Sequence, residues 1–287
     1  VPVSVNDRTR FIYEAACCGL RDFFVKNGYK KACVGVSGGI DSAVVACLAV
    51  AALGAENVRG LMMPSQFSSE GSVEDAKQLA ENLGIEFHVV PITEAYRSIV
   101  DTLIPVIGGT DFDATEENIQ SRIRTLMLMA LQNKNGYVLL NCSNKSENAL
   151  GICTLYGDTG GAFSVTGDLY KTEMYDLARY INRKFGDPIP ENILTKEPSS
   201  ELRPDQKDSD MLPSYEVVDA ILYRLIEDGQ SREEIINAGF DSDEVQKIYA
   251  MVMRNEKKRF QYPPVLRLSS SSFGHEYRMP LTHKYVK

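Results

Sequence analysis

The sequence predicts an α/β protein: a three-layer α/β/α arrangement around a doubly wound parallel sheet, followed by a C-terminal helical region. Three observations lead there. Short apolar runs alternate with helical stretches in a β-α-β-α-β order, and the runs are almost continuously apolar, as strands covered on both faces are. Two glycines separate the first run from the helix after it, in Ser37-Gly38-Gly39-Ile40-Asp41-Ser42. The 287 residues, 44% hydrophobic and 24% charged, suffice for one large α/β domain or two small ones.

Residues 6–27 read as an amphipathic helix with Phe11, Ala15, Cys18 and Phe23 on its buried side, ended by Asn27-Gly28. Ala32 to Val36 is the first strand. Helix 42–53 is apolar nearly all round and is expected to be buried. Val58 to Met63 is the second strand, 69–83 a helix ended by Gly84, and Ile85 to Val90 the third strand. Thr93 to Val106 is helical, and Gly108-Gly109-Thr110 breaks it.

A long helix follows at 114–134. Thr115 with Asn118 signals its start, and Glu116-Glu117 suit its first turn. Its second half is apolar on more than one face, which fits either a core helix or a subunit interface. Tyr137 to Cys142 is the fourth strand. It releases the polar run Asn141 to Glu147, and a second glycine loop, Tyr156 to Gly161, comes next. Helix 171–184 closes an α/β core of about residues 30–190. Residues 195–213 are polar and punctuated by proline and read as a mobile loop, a length typical of lids or linkers. Helices 214–228, 231–238 and 241–259 and an irregular tail complete a single domain spanning 1–287. The basic end of the last helix, Lys257-Lys258-Arg259, is of the kind that offsets a helix dipole.

Composition excludes several functions. A net charge of −8 argues against an extended nucleic-acid surface. No apolar run reaches membrane-spanning length. Cys17, Cys18, Cys33, Cys47, Cys142 and Cys153 include no Cys-x-x-Cys pair and read as reduced core thiols of a cytoplasmic protein. His88, His275 and His283 show no ligand spacing. The chain begins at Val1 rather than Met, as expected of a piece of a longer protein.

The glycine loop is an anion site by construction. A strand, a tight turn and a helix N-terminus direct backbone N–H groups and the positive end of a dipole at one point. Ser37 and Ser42 add hydroxyls, and Asp41 adds a carboxylate that could hold Mg²⁺ against phosphates. Right-handed crossovers put this loop beyond the carboxyl ends of the strands, where such sheets bind ligands. It is neither a Walker A loop nor a dinucleotide fingerprint, since the Lys-Ser/Thr pair and G-x-G-x-x-G are absent.

The full Ser-Gly-Gly-Ile-Asp-Ser string resembles the pyrophosphate loop of the N-type ATP pyrophosphatases, whose fold is adenine nucleotide alpha-hydrolase-like. Five further strings narrow the resemblance: Asn118 to Arg122, Asn144-Lys145-Ser146-Glu147, Tyr156-Gly157-Asp158 with Gly160-Gly161, Lys196 to Leu202, and Glu256 to Gln261. In this order they resemble the NAD synthetase family over essentially the whole chain. The Asn-Lys-Ser-Glu string, the run Arg203-Pro204-Asp205-Gln206 and the tail from Phe273 to Tyr285 are similar to the synthetase domain of its glutamine-dependent form. That form carries a glutamine amidase domain, for which this chain is too short.

The resemblance implies a reaction and a cast. ATP adenylates the nicotinate carboxylate of deamido-NAD, pyrophosphate leaves, and ammonia displaces AMP to give NAD. Ser37, Gly38, Gly39, Ile40, Asp41, Ser42, Cys142, Lys171 and Ser199 are implied to contact ATP, with Ser199 donating to a phosphate on loop closure. Asp41 and Glu147 are implied to bind Mg²⁺. Asn118, Arg122, Glu147, Lys257 and Lys258 are implied for deamido-NAD, at a homodimer interface through helix 114–134. Asp41 and Lys171 are implied catalytic residues, and Asp158 is the candidate base that deprotonates ammonium.

The chain departs from the family pattern in places. Asn141-Cys142 stands where Gly-Thr is usual, Leu155 where ammonia-only members carry Lys, and Phe163 where they carry Asp, with Thr159 extra. Two other readings share the glycine loop. One is another adenylating enzyme, GMP-forming or tRNA-modifying; the basic surface, reactive cysteine pair and dimerisation region these would carry are not evident. The other is a nucleotide-binding module without catalysis, which would not need Glu147, Lys171 and Ser199 together.

Overall fold

A computed structural model describes residues 5–109, 111–204, 206–274 and 276–283. Val1, Thr110, Asp205, His275 and Tyr285, named above, lie outside the described residues. The elements run α1 (Val5–Asn27), β1 (Lys31–Gly35), α2 (Ile40–Leu53), β2 (Val58–Met62), α3 (Glu70–Leu83), β3 (Glu86–Val89), α4 (Thr93–Ile107), α5 (Ala114–Asn135), β4 (Tyr137–Asn141), α6 (Lys145–Leu150), β5 (Phe163–Ser164), α7 (Lys171–Phe185), α8 (Glu191–Thr195), α9 (Tyr215–Ile226), α10 (Arg232–Asn237), α11 (Ser242–Arg254) and α12 (Glu256–Arg259).

Among the described residues five strands form a parallel sheet in the order β3-β2-β1-β4-β5. The chain winds outward from β1 through β2 and β3, then returns to add β4 and β5 on the other side. The switch point is therefore at β1, and the glycine loop that follows β1 opens there. One core lies between the sheet and α1, α2, α3 and α7, a second between the sheet and α4 and α5, and a third joins α6 to α9, α10 and α11. No helix among the described residues is long and apolar enough to cross a membrane.

Several expectations need correction. In α1 the buried side is Ile12, Tyr13, Ala16, Cys17, Leu20 and Phe24, whereas Phe11, Ala15 and Cys18 face outward. The helix offers two apolar stripes, and the denser one packs on α2 and α7. Phe23, at the edge of that stripe, stacks on Phe163 at 4.3 Å. Cys18 is accordingly exposed rather than a core thiol. β3 is not covered on both faces: Glu86, His88 and Val89 lie at or near solvent, because β3 is the edge of the sheet.

Helix α5 begins at Ala114 as expected, but Asp113 rather than Thr115 marks its start. Asp113 accepts from Thr115 N and Glu116 reaches back to Asp113 N, a capping box. Of its apolar residues, Ile119, Ile123 and Leu128 are buried while Leu126 is 67% exposed. The last helix is not continuous over 241–259. It breaks at Asn255, whose amide donates to Leu150 O and Met251 O. Helices α6 and α8 and the two-residue β5 were not anticipated, being too short to show a period.

Candidate active site

The glycine loop is held by its own hydroxyls. Ser42 Oγ accepts from Ser37 N and donates to Gly39 O, each at 3.1 Å, and Ser37 Oγ accepts from Gly39 N at 3.2 Å. Gly38 has φ +79°, and a Cβ there would lie 2.2 Å from the carbonyl oxygen of Ser72. Only glycine fits a left-handed turn pressed on another backbone. Gly38 thus shapes the loop, while Ser37, Gly39, Ile40, Asp41 and Ser42 line a cavity of about 330 Å³.

Three charged groups meet in that cavity. Lys171, at the start of α7, donates through Nζ to Asp41 Oδ2 at 2.5 Å and Glu147 Oε1 at 3.3 Å. Asp41 opens α2 and Glu147 lies in the first turn of α6, so both carboxylates also sit near helix N-termini. Burial pushes the Glu147 carboxyl up to about 8, and the neighbouring Asp41 adds to the rise. Burial opposes the Lys171 charge, but Asp41 and Glu147 outweigh it and hold its pKa well above the ordinary lysine value. Two carboxyl groups and one ammonium make an oxygen-rich seat facing the glycine loop.

Asn144 assembles this cluster and was missed by sequence reasoning as a separate contributor. Its Oδ1 caps α6 by accepting from Glu147 N, and its Nδ2 donates to Asp41 Oδ1, both at 2.9 Å. The two Lys residues of the cluster region part company: Lys145 points away and is completely buried, donating to Glu227, to Asp168 Oδ1 at 2.8 Å and to Ser269 Oγ at 2.7 Å. Asp219 holds two of the site's supports together. It accepts from Ser146 Oγ and, at 2.8 Å, from Thr172 N, while Lys171 N donates to Ser146 Oγ at 2.9 Å. The signal for Asn144 is a polar residue at a helix start, which sequence alone leaves as an ordinary cap, and Asp219, inside α9, gives none.

Cys142 lines the cavity, and burial, then Asp41 and Glu147, push its thiol up, so it is a neutral wall. Asp158 also lines it. Its carboxylate accepts from Thr154 N at 2.9 Å and Ser121 Oγ at 3.1 Å, and burial raises its pKa. Ser199 lines the cavity with its hydroxyl turned inward to the loop, donating to Gln206 O at 2.5 Å and accepting from Glu201 N.

The segment carrying Ser199 is anchored on α3. Glu201 accepts from Ser69 N, Ser69 Oγ and Ser72 Oγ, at 3.2, 2.8 and 2.7 Å. Lys196 pairs with Asp75 at 3.0 Å, and Gln120 Nε2 donates to Leu202 O at 2.9 Å. Glu201 takes φ +48° to do this.

Asn118, Arg122, Lys257 and Lys258 do not line the cavity. Three of them instead grip the strip between α6 and the second glycine loop. Asn118 Oδ1 accepts from Thr154 Oγ1 at 2.6 Å, Arg122 Nε donates to Leu155 O at 3.2 Å, and Lys258 Nζ donates to Gly151 O and Cys153 O at 2.6 and 2.8 Å. Lys258 therefore serves the C-terminal end of α6, not the dipole of its own helix. Lys257 is exposed.

A parallel sheet of this order, with its anion loop at the switch point and an oxygen-rich seat across from it, places the molecule in the adenine nucleotide alpha-hydrolase-like class of α/β proteins. Comparison with known proteins narrows that class. Residues 12–262 match the family described as NAD synthase, and the chain belongs to that family. It is 52% identical over 276 residues to a glutamine-dependent NAD(+) synthetase of Aquifex aeolicus, covering 96% of this chain and 48% of that protein. Among solved structures it is similar to a glutamine-dependent NAD+ synthetase of Acinetobacter baumannii, at TM-score 0.65 and 41% identity over 95% of this chain and 49% of the other. It is also similar to an NH3-dependent NAD synthetase of Campylobacter jejuni, at TM-score 0.68 and 30% identity over 88% of this chain and 95% of the other. The chain spans about half the length of the curated relatives it matches.

Proposed function

We propose that this chain catalyses the ATP-dependent amidation of deamido-NAD to NAD. The observation that carries the reading is the Asp41–Lys171–Glu147 cluster facing the glycine loop across one cavity. A site that splits ATP between its α and β phosphates must hold the departing pyrophosphate and leave the α-phosphorus open to an in-line nucleophile. The glycine loop supplies backbone and hydroxyl donors for pyrophosphate, and Lys171 supplies a cation. A nicotinate oxygen forms the new bond to the α-phosphorus as the bond to the bridging oxygen breaks, and that electron pair leaves with pyrophosphate. Ammonia then attacks the acyl carbon, AMP departs with its oxygen, and one proton is released.

Asp41 and Glu147 would hold Mg²⁺. Two carboxyl groups on one cavity are oxygen donors of the kind that ion takes. When bound, the ion neutralises phosphate charge. Lys171 bridges the two carboxyl groups. Asp158, with both oxygens already hydrogen-bonded, is retained as the candidate base for ammonium.

Deamido-NAD is assigned to the side of the second glycine loop, with Asn118, Arg122, Lys257 and Lys258 around the strip 151–155 and Glu147 at its cavity end. A homodimer through α4 and α5 goes with this. No residue of α4 is buried, and Val106, Ile107 and Leu126 are exposed on these two helices. The nitrogen comes as free ammonia or from glutamine through a glutamine amidase domain, in the cytoplasm, with neither nucleic acid nor membrane as a partner. The test is release of AMP and pyrophosphate that requires deamido-NAD, ammonia and Mg²⁺ together. No turnover under those conditions overturns the proposal.

A further inference from the structure

The cavity has two unlike halves. One is polar, formed by the glycine loop and the Asp41–Lys171–Glu147 cluster. The other is apolar, formed by Gly35, Leu61, Met63 and Leu128 at the ends of β1 and β2 and on α5. Gly35 belongs to that apolar seat, since a Cβ there would lie 3.2 Å from Leu128 Cδ1. A flat ring system fits against such a surface.

Arg124 borders this apolar half and has no role in anything described so far. It lies one helical turn before Leu128 on α5, on the same face. Its Nε donates to Met63 O at 2.9 Å, just beyond β2, which fixes the guanidinium at the cavity wall. Among the described residues no carboxylate forms an ion pair with it, and its two terminal nitrogens have no hydrogen-bond partner. Burial pulls its pKa down to about 10, partly offset by the more distant Glu201 and Asp158, so the group is charged at neutral pH. Arg124 is half-buried, and a guanidinium fork left open at a cavity wall is a ready partner for an anion.

We infer that Arg124 binds the adenylyl half of the nucleotide, with its free fork on the α-phosphate, while the glycine loop and Lys171 hold the half that leaves. The inference rests on the adenylation proposed above and divides its site in two. A cation beside the apolar seat meets the phosphate nearest the base. It is also placed to take up charge on the non-bridging α-phosphate oxygens as the nicotinate oxygen bonds to phosphorus and the electron pair of the breaking bond departs with pyrophosphate. The fork of arginine, rather than a lysine, suits the task, because one donor stays on Met63 O while others remain for the phosphate.

The two products give the test. Binding of AMP and of pyrophosphate is measured separately by calorimetry on the wild-type chain and on Arg124→Met, and kcat/KM for ATP is measured on both. The methionine variant is expected to bind AMP at least about tenfold more weakly, to bind pyrophosphate within twofold of wild type, and to lose about a hundredfold or more in kcat/KM. AMP affinity equal to wild type overturns the inference, as does an equal loss of both ligands, which marks a merely structural role. A wild-type chain that binds no AMP overturns it as well. A wild-type chain that binds AMP but never releases pyrophosphate from ATP refutes the proposed reaction instead, and the AMP comparison still decides Arg124. Should the methionine variant not fold, Arg124→Lys carries the test, with a smaller loss of AMP affinity expected and unchanged affinity overturning the inference.

Discussion

Lys171 Nζ donates to Asp41 Oδ2 at 2.5 Å, joining residues 130 apart in the chain across the mouth of the sheet. The pair ties the helix that follows the glycine loop to the helix that closes the α/β core, and Glu147 completes it. Asp41→Ala and Glu147→Ala should each abolish pyrophosphate release, and Lys171→Met should lower kcat by about a hundredfold or more. Retained turnover in the two alanine variants, measured at saturating Mg²⁺, would remove their proposed metal role.

Gly38→Ala tests the loop itself. The substituted residue would need φ +79° and would place Cβ 2.2 Å from Ser72 O, a backbone atom that cannot swing away. A loss of at least about 2 kcal/mol in unfolding free energy is expected, together with loss of nucleotide binding. Wild-type stability by chemical denaturation would show that the turn tolerates a side chain.

Glu201 latches the segment 196–202 onto the first turn of α3 through Ser69 and Ser72. Glu201→Ala should release that segment without unfolding the core. Amide exchange of residues 197–204 should become faster in the ligand-free protein, while exchange in β1 and β4 stays unchanged. Equal protection in both proteins would mean that Lys196 and Gln120 suffice.

Asp219 links stability to pH. Burial raises its carboxyl from an ordinary 3.8 to about 6, against the hydrogen bonds from Ser146 and Thr172. The folded state therefore holds this proton more tightly than the unfolded one. The associated stability is fully present below about pH 4 and is lost as pH rises through about 6. The whole step is at most about 3 kcal/mol. Asp219→Asn should flatten that part of the stability profile relative to wild type, as read by denaturant titration between pH 4 and 7. A parallel profile in both proteins would assign the proton elsewhere.

The homodimer proposed above rests on the exposed apolar residues of α4 and α5. Val106 is 81% exposed and Leu126 67%. Val106→Glu with Leu126→Glu should yield a monomer by sedimentation where the wild type is a dimer, at little cost to folding, because neither side chain is in a core. A wild-type monomer at micromolar concentration would count against the interface.

Much of the architecture was readable from local pattern. Strands β1, β2 and β4, the glycine loop and the large helices announce themselves because burial on both faces, a left-handed turn and a 3.6-residue period are each written over a few neighbouring residues. Where two local answers competed, sequence chose wrongly. On α1 the expected stripe through Phe11 and Cys18 faces outward, and the stripe through Ile12 and Leu20 packs on α2 and α7. The covered face expected of β3 failed for the same reason, since being at the edge of a sheet is a property of strand order.

The site divides along similar lines. By itself the sequence determined that a strand, Gly38-Gly39 and a helix start are contiguous after β1, an arrangement whose backbone donors and dipole converge wherever the segment sits. Its resemblances named Asp41, Glu147, Lys171 and Ser199. Only the tertiary structure decided that the first three share one ion-paired cluster and that Asn144 and Asp219 hold it. It alone turned Lys145 into a buried support and set Lys258 on the end of α6. Arg124, an unremarkable cation in a helical run, acquired meaning the same way. Charges act through space at a few ångströms, and these meet only where the parallel sheet brings distant strand ends and helix starts to one edge.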